Sequence, residues 1–175
     1  VCREAGHKQL QWQTSLDFET DQTSAFWHEN RIYVVRQKRS SGKTGRALFR
    51  VYDATDPVNI LLQAELPLPG DLFEMAWLEP HFVVIAAGMK GLSVVDVADP
   101  SRPVLVGTLS LPEHLRRYSM VTNVFTVGQY AYLGHQRNGI SQVDLRNPRS
   151  PKIVQMIDVP GYVRKMTEQN GIVMA

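Results

Sequence analysis

The sequence has few of the features that mark several classes of protein. Its 175 residues include one cysteine, Cys2, so no disulfide can form within the chain. No run comes near the roughly 18 apolar residues of a membrane span. No stretch keeps a helical period over about ten residues, and the segment 112–118 is the nearest approach. These absences favour a globular domain built from strands.

The small net charge of the chain argues against nucleic-acid binding. The formal net charge is +2, with 19 basic and 17 acidic residues. A charge this small does not indicate nucleic-acid binding, which needs a clustered basic surface and usually aromatic side chains on which bases stack. We therefore expect no nucleic acid as a partner. The 43% of hydrophobic residues is ordinary for one globular domain.

The ten prolines reveal an internal repeat. Three segments, 46–69, 91–112 and 139–160, each contain an Asp that is followed by an Asx-Pro pair at offsets +3 and +4 and by a proline at offset +16. The aspartates are 43 and 48 residues apart, a period typical of propellers and other repeat architectures. The Asp carboxylate can accept backbone N–H groups in the turn that follows, and the proline presets φ at the corner of that turn. The residues predicted to form these turns are Asp53, Asp56, Pro57, Asp96, Asp99, Pro100, Asp144, Asn147 and Pro148.

Apolar runs supply the strands of each unit. The second strands, for example 32–35 and 82–87, are continuously apolar, which indicates cover on both faces. Neighbouring blades of a propeller give this double cover. The predicted fold class is therefore all-β, a β-propeller fragment with about three complete four-stranded blades and partial blades at both ends. The expected divisions are 1–21 for the last strand of a preceding blade (with that strand at 8–19), 22–69, 70–112 and 113–160 for three blades, and 161–175 for the start of a further blade.

One part of the repeat is similar to a known family. The segment GLSVVDVADPSRPVLVG, residues 91–107, with strands of the type QYAYLG, residues 129–134, resembles the LVIVD repeat family. The first unit departs from the family pattern at 47–49, and at 58–60 it lacks a second proline. The resemblance implies a β-propeller of bacterial and archaeal surface proteins. It also implies an extracellular or envelope-attached module without catalysis. Independently of the resemblance, an open arc of blades would leave two blade faces uncovered, so we expect the remainder of the propeller in a longer chain, or a partner.

The residues indicate no chemical site. Residues 40–44, Ser-Ser-Gly-Lys-Thr, end like a phosphate-binding loop, but Gln37 stands where that motif needs glycine, and a strand follows in place of a helix. A hairpin loop is predicted there. The five histidines lack metal-ligand spacing, and the repeated aspartates recur as turn residues do. No cofactor, metal ligand or catalytic residue is predicted, although a metal site assembled across blades stays open as an alternative.

Two insertions define the candidate binding surface. One lies in 36–46, between the second and third strands of the first unit, and the other is 113–118, between the second and third units. Up-and-down strand order places these two kinds of loop at the same end of a propeller, and loops on a rigid scaffold commonly carry binding residues. We call the basic residues expected at this end the basic rim. They are Arg36, Lys38, Arg39, Lys43, Arg46, Lys90, Arg116, Arg117, His135 and Arg137.

The function predicted from the sequence is binding. We expect a non-catalytic propeller module of a secreted or cell-surface protein, with the basic rim binding a protein or an anionic glycan. The simpler interpretation is that these charges only keep long loops soluble. The alternative function is enzymatic: the chain would be a fragment of a propeller hydrolase or lactonase with its active site in the central channel. Asp71, Glu74 and Asn123 are the candidates for that channel, and they are too few and too unevenly placed to favour chemistry.

Overall fold

The computed structural model describes residues 2–5, 9–12, 22–40, 43–116, 120–137, 139–169 and 172–174. Strands dominate these residues, and one short helix, α1 at Glu113–Arg116, stands within 112–118, where the sequence comes nearest to a helical period. The strands are β1 Cys2–Ala5, β2 Gln9–Trp12, β3 Gln22–His28, β4 Arg31–Ser40, β5 Lys43–Asp53, β6 Leu61–Leu68, β7 Met75–Leu78, β8 Phe82–Ala86, β9 Leu92–Asp96, β10 Val104–Leu109, β11 Val121–Val127, β12 Tyr130–His135, β13 Ile140–Asp144, β14 Lys152–Ile157, β15 Thr167–Gln169 and β16 Ile172–Met174.

Twelve of these strands form three antiparallel sheets of four. Blade 1 contains β3 to β6, blade 2 contains β7 to β10, and blade 3 contains β11 to β14. In each blade, strands adjacent in sequence are adjacent in the sheet, so every connection is a hairpin. The remaining strands form two-stranded sheets, β1 with β2 and β15 with β16.

The first of these two-stranded sheets differs from the strand expected near the start of the chain. A single strand is expected over 8–19, whereas β2 covers Gln9–Trp12 and pairs antiparallel with β1, a strand that the sequence did not indicate. Residues 13–21 lie outside the part of the chain that the structure describes. The apolar alternation of this segment is therefore partly the pattern of a hairpin.

The blades stack through their first strands. β3 contacts β7, and β11 contacts β7 and β8, so the first strands of successive blades lie side by side. This is the arrangement of blades around a propeller axis. One apolar cluster lies between blades 1 and 2, with Phe49 and Ile85 fully buried, and a second lies between blades 2 and 3, with Leu133 fully buried. The predicted all-β propeller architecture is confirmed.

Burial on both faces explains the continuous apolar runs. Successive residues of β8 point to opposite faces of the sheet, yet Val83, Val84 and Ile85 are all inaccessible to solvent. Val83 and Ile85 belong to the cluster facing blade 1, and Val84 belongs to the cluster facing blade 3. Each such side chain contributes on the order of 1.5 to 3 kcal/mol relative to exposure. The sandwiching of each blade between two others is thus the main source of stability.

The same double turn follows the third strand of each blade. In blade 2, Asp96 Oδ1 accepts a hydrogen bond from the Ala98 N–H (3.0 Å) and Asp99 Oδ1 accepts one from the Ser101 N–H (3.0 Å). The Arg102 N–H donates to the Asp99 carbonyl (2.9 Å), which closes a β-turn with Pro100 at its first corner. The corresponding side-chain acceptors are Asp53 and Asp56 in blade 1, and Asp144 and Asn147 in blade 3. Pro57 and Pro148 occupy the corners there.

Two of the turn aspartates, Asp53 and Asp144, have a lowered carboxyl pKa. The side-chain hydroxyl and backbone N–H of Thr55 both donate to Asp53, and they lower the pKa of its carboxyl below the usual value. The Arg146 side chain and its backbone N–H lower the pKa of Asp144 in the same way. A carboxylate that accepts these bonds specifies the turn through short-range contacts alone.

Candidate functional site

The connections that carry Lys90 and Arg137, two members of the basic rim, contact the segments that join successive blades. The Gly88 N–H, between β8 and β9, donates to the Val121 carbonyl at the start of blade 3 (3.1 Å), and the Val121 N–H donates back (3.2 Å). The Arg137 guanidinium, between β12 and β13, lies 5.7 Å from the ring centroid of Tyr162, which follows blade 3. Connections between second and third strands therefore contact connections between blades. We call this the rim end.

The insertion in blade 1 is a projecting hairpin. The pairing of β4 with β5 continues to Arg39 opposite Thr44 and Ser40 opposite Lys43. The flanking strands stop earlier, because β3 pairs with β4 only as far as Gln37, and β6 pairs with β5 only as far as Ala47. Residues 38–46 thus form a two-stranded extension of the sheet, which we call the basic ribbon. The sequence predicts a loop at this position, and the structure instead extends both strands, with residues 41–42 outside the described part.

The basic ribbon is unusual in charge. It contains Lys38, Arg39, Lys43 and Arg46 and no acidic residue. The extension places four basic residues on backbone that continues beyond the end of a four-stranded sheet, with Arg39 and Lys43 in its two ladder pairs. A cluster of basic residues without acidic neighbours is typical of a surface that attracts anions.

The other members of the basic rim divide into three groups. Lys90 and Arg137 are exposed in the hairpin connections of blades 2 and 3. Arg36 is half-buried within β4, and Arg116 ends α1 between blades 2 and 3. Arg117 lies outside the described residues. The structure thus brings Arg137 to the connections between blades and leaves Arg36 at the foot of the ribbon.

His135 does not belong to the exposed surface. It is fully buried at the end of β12, with Nε2 2.6 Å from Ser141 Oγ, and the Ser141 hydroxyl donates to Met156 Sδ (2.9 Å). Burial lowers the pKa of His135 to about 4, so the ring is neutral at physiological pH. A buried neutral imidazole adds no charge to the rim. Its inclusion among the rim residues is corrected, because no pattern in the sequence indicates that this strand end is enclosed.

Three exposed residues at the rim end were missed by reasoning from the sequence. Tyr162, Arg164 and Lys165 lie in the segment between β14 and β15, in which Val163 and Met166 are buried. A first strand is expected to start at 162–164, but β15 begins at Thr167. Val163 and Met166 are three positions apart, not the two of strand alternation, and this spacing was the available signal. It reflects a segment anchored on blade 3 by two apolar side chains rather than a strand.

The channel candidates form a link between blades. Glu74 Oε2 accepts hydrogen bonds from Asn123 Nδ2 (3.3 Å) and from the Val124 N–H (3.1 Å), which joins the entry of β7 to β11. Asp71 precedes β7 and is half-buried. The structure brings Glu74 and Asn123 together and uses both in packing blade 3 against blade 2. Within the described ranges, no group of three or more His, Cys, Asp or Glu side chains is placed to hold a metal ion.

Radially stacked, up-and-down sheets of four strands define this chain as a β-propeller module. Two segments, residues 77–110 and 120–159, match the family model described as LVIVD repeat, and they correspond to most of blades 2 and 3. These two blades therefore match LVIVD repeats, as the resemblance in the sequence predicts. No curated protein matches the sequence.

One similar solved structure supports the architecture. It is the crystal structure of the computationally designed Ika4 protein, with a TM-score of 0.67 and 13% sequence identity. The alignment covers 93% of this chain and 89% of that chain, so the likeness extends over nearly all of both folds. At this identity the likeness concerns the fold alone. No helix among the described residues has the length and apolar character needed to cross a membrane.

Proposed function

We propose that this chain is a non-catalytic binding module of a secreted or cell-surface protein. Its basic rim docks an anionic partner, either an acidic polysaccharide or an acidic protein surface. The surface location is supported by the occurrence of LVIVD repeats in surface proteins. The partner class is supported by the charge and placement of the rim residues.

The observation that carries the proposal is the basic ribbon. Two of its four basic residues, Arg39 and Lys43, lie in ladder pairs beyond the sheet, and no acidic residue lies within 38–46 to neutralise the four. Cations that only keep a loop soluble need no such rigid support. A paired ribbon instead holds its charges at fixed spacing, which favours a repeating anionic chain or a patterned acidic surface.

A second group of cations extends the surface across the rim end. Arg137 is exposed above Tyr162, and Arg164 and Lys165 are exposed on the same segment. An aromatic ring beside a guanidinium offers both stacking and charge to a ligand. Together with the ribbon, these residues give a binding surface that spans blades 1 and 3.

The test replaces the ribbon charges. A variant with Ser at Lys38, Arg39, Lys43 and Arg46 is compared with a control carrying Ser at Arg102, Arg146, Arg149 and Lys152, which are exposed around the Asx-Pro turns. Both variants lose four positive charges, so long-range attraction changes equally. Binding to heparin and to poly-glutamate is measured by calorimetry at several salt concentrations.

The expected loss can be stated as a magnitude. Exposed ionic contacts contribute about 0.5 kcal/mol each, so four lost contacts weaken binding by about 2 kcal/mol, or roughly 30-fold. The ribbon variant should show this loss and a shallower salt dependence, and the control should bind nearly as the native chain does. Equal losses in the two variants would show that only net charge matters and would refute a docking surface at the ribbon.

A further inference from the structure

Adjacent basic residues occur at three places in the sequence. The pairs are Lys38-Arg39, Arg116-Arg117 and Arg164-Lys165. Endoproteases with an acidic primary-specificity pocket cut after arginine or lysine. They cut a folded protein only where the backbone around the bond can open locally, and the rate follows the free energy of that opening. The three pairs therefore differ as protease sites according to how the fold holds the backbone around each.

Two of the pairs adjoin side chains that are packed against the blades. The pair 164–165 stands between the buried side chains of Val163 and Met166. Arg116 ends α1 directly after Leu115, whose side chain is also buried. Opening either segment transfers apolar side chains from a core into water, which is unfavourable. We therefore expect the fold to protect both segments.

The pair Lys38-Arg39 lies where the sheet narrows to two strands. In the basic ribbon, β4 and β5 form two ladder pairs after a register shift between Gln37 and Arg39. The pairing of β3 and β6 with these strands ends at Gln37 and Ala47. A ribbon of two strands alone is marginally stable in water. The nearest buried side chains, Val35 and Ala47, lie outside the ribbon in the cluster between blades 1 and 2, so the ribbon can open while this cluster stays packed.

We propose that the basic ribbon is a proteolytic processing site, cut by an endoprotease specific for basic residues. The favoured bonds follow Arg39 and Lys43, which lie in the two ladder pairs of the ribbon. The cut is a hydrolysis, in which the peptide C–N bond breaks. The carbonyl carbon takes the oxygen of one water molecule and becomes a carboxylate, and the nitrogen takes the two protons and becomes an ammonium group.

The blade keeps its structure after such a cut. The pairs from Arg31 opposite Asp53 to Gln37 opposite Ala47 lie in the four-stranded sheet, on the far side of the ribbon from its tip. The two fragments therefore stay associated. The ribbon strands, however, are no longer joined, so each end must be ordered separately before the four basic residues share one surface. If the proposed function is correct, on which this consequence rests, processing ends anion binding at the ribbon.

The test follows digestion of the folded chain by trypsin at a low ratio of protease to substrate, with intact masses measured over time. Among the bonds of residues 22–166, those in the ribbon should be cut at least tenfold faster than those after Arg116 or Arg164. Tenfold is about the factor that burial of one apolar side chain adds to an opening equilibrium. The two fragments should elute together at the native volume in gel filtration.

The variants already described locate the cut. The variant with Ser at Lys38, Arg39, Lys43 and Arg46 should lose the early cut, and the control with Ser around the Asx-Pro turns should keep it. A first cut in 22–166 that falls outside the ribbon, or ribbon bonds cut no faster than those after Arg116 and Arg164, would overturn the processing site whatever the binding results. Fragments that separate in gel filtration would overturn it as well, because cleavage would then destroy the blade.

Heparin distinguishes the processing site from the proposed function. A polyanion that binds the closed ribbon should slow the ribbon cut about tenfold at ten times its Kd, with hydrolysis of a small arginine ester as the control for the activity of trypsin. The cut protein should bind heparin about 30-fold more weakly than the intact chain, as the ribbon variant does. An early ribbon cut that leaves heparin binding unchanged would support the processing site and refute the role of the ribbon in binding.

Discussion

The buried His135 makes the stability of this protein depend on pH in a defined window. Its ring is enclosed in blade 3, where it touches Ser141 beside Met156, and no acidic side chain among the described residues pairs with it to stabilise a positive charge. Its Nδ1 is also shielded and has no hydrogen-bond partner in the same part of the chain. Protonation would place an uncompensated charge inside the sheet packing, and this lowers the pKa of His135 from 6.5 to about 4.

The direction of the effect follows from linkage. Between pH 6.5 and about 4 the unfolded chain binds a proton at His135 while the folded chain does not, so acid favours unfolding in this window. Each unit of difference between the unfolded and folded pKa values corresponds to about 1.4 kcal/mol, so the lowered pKa of His135 can reduce the free energy of unfolding by about 3 kcal/mol in total. Most of it is expressed by pH 5, where the native protein should be about 2 kcal/mol less stable than at pH 7 through this residue alone.

Urea unfolding measured between pH 7 and pH 4.5 tests this reasoning. The native chain should lose stability across the window, and His135→Gln should show a slope shallower by about 2 kcal/mol between pH 7 and pH 5. Gln136→Ala, a change at the exposed residue next to His135, removes no titratable group and should keep the native slope. An NMR titration of the His135 ring in the native protein provides an independent value, expected near 4. A midpoint close to 6.5, or parallel pH profiles for the native chain and His135→Gln, would refute burial as the cause of the pH dependence.

Two further predictions concern the contacts between and within blades. A Cβ added at Gly107 would clash with the Pro148 carbonyl oxygen, so Gly107→Ala should separate blades 2 and 3 and cost about 1 to 3 kcal/mol. Thr108→Ala, at the neighbouring exposed position, should cost less than about 0.5 kcal/mol. Equal thermal unfolding of these two variants would contradict the close approach. Asp96→Ala should cost about 1 kcal/mol through the lost bond to the Ala98 N–H, and Asp96→Asn, which keeps the acceptor oxygen, should recover most of that loss in urea unfolding.

The features predicted well from the sequence are those specified by short-range chemistry. The Asp and Asx-Pro residues form their turns through bonds to backbone groups two and three residues away, as in the pair Asp99 and Arg102. The unbroken apolar run of β8 likewise indicates its own burial on two faces. Turn residues and strand periodicity are both properties of a single unit, so a repeat aligned on them leads directly to the blade.

The features that were missed depend on how units pack against each other. His135 looks like any polar residue at a strand end, and its enclosure follows from packing around blade 3. In the ribbon, β4 and β5 stay paired beyond the end of the four-stranded sheet. The number of inserted residues alone does not show whether an insertion forms paired strands or a loop. Glu74 was considered for chemistry because of its position near a first strand, whereas the structure shows that its carboxylate bridges to Asn123 of the next blade.

The candidate sites lie where the units differ from one another. Residues repeated in all three blades, such as the Asp and Asx-Pro turns, bond to backbone groups of their own turns and so serve the blade itself. The basic ribbon occurs in blade 1 alone. A departure from the repeat that packs against no neighbouring blade can be changed without loss of the blade. Replacing residues 127–129 by the longer blade 2 turn, residues 78–81, keeps Thr126, whose hydroxyl donates to the Trp77 carbonyl, and should therefore preserve the fold. Exchanging the Asp and Asx-Pro turn for an unrelated loop should destabilise it.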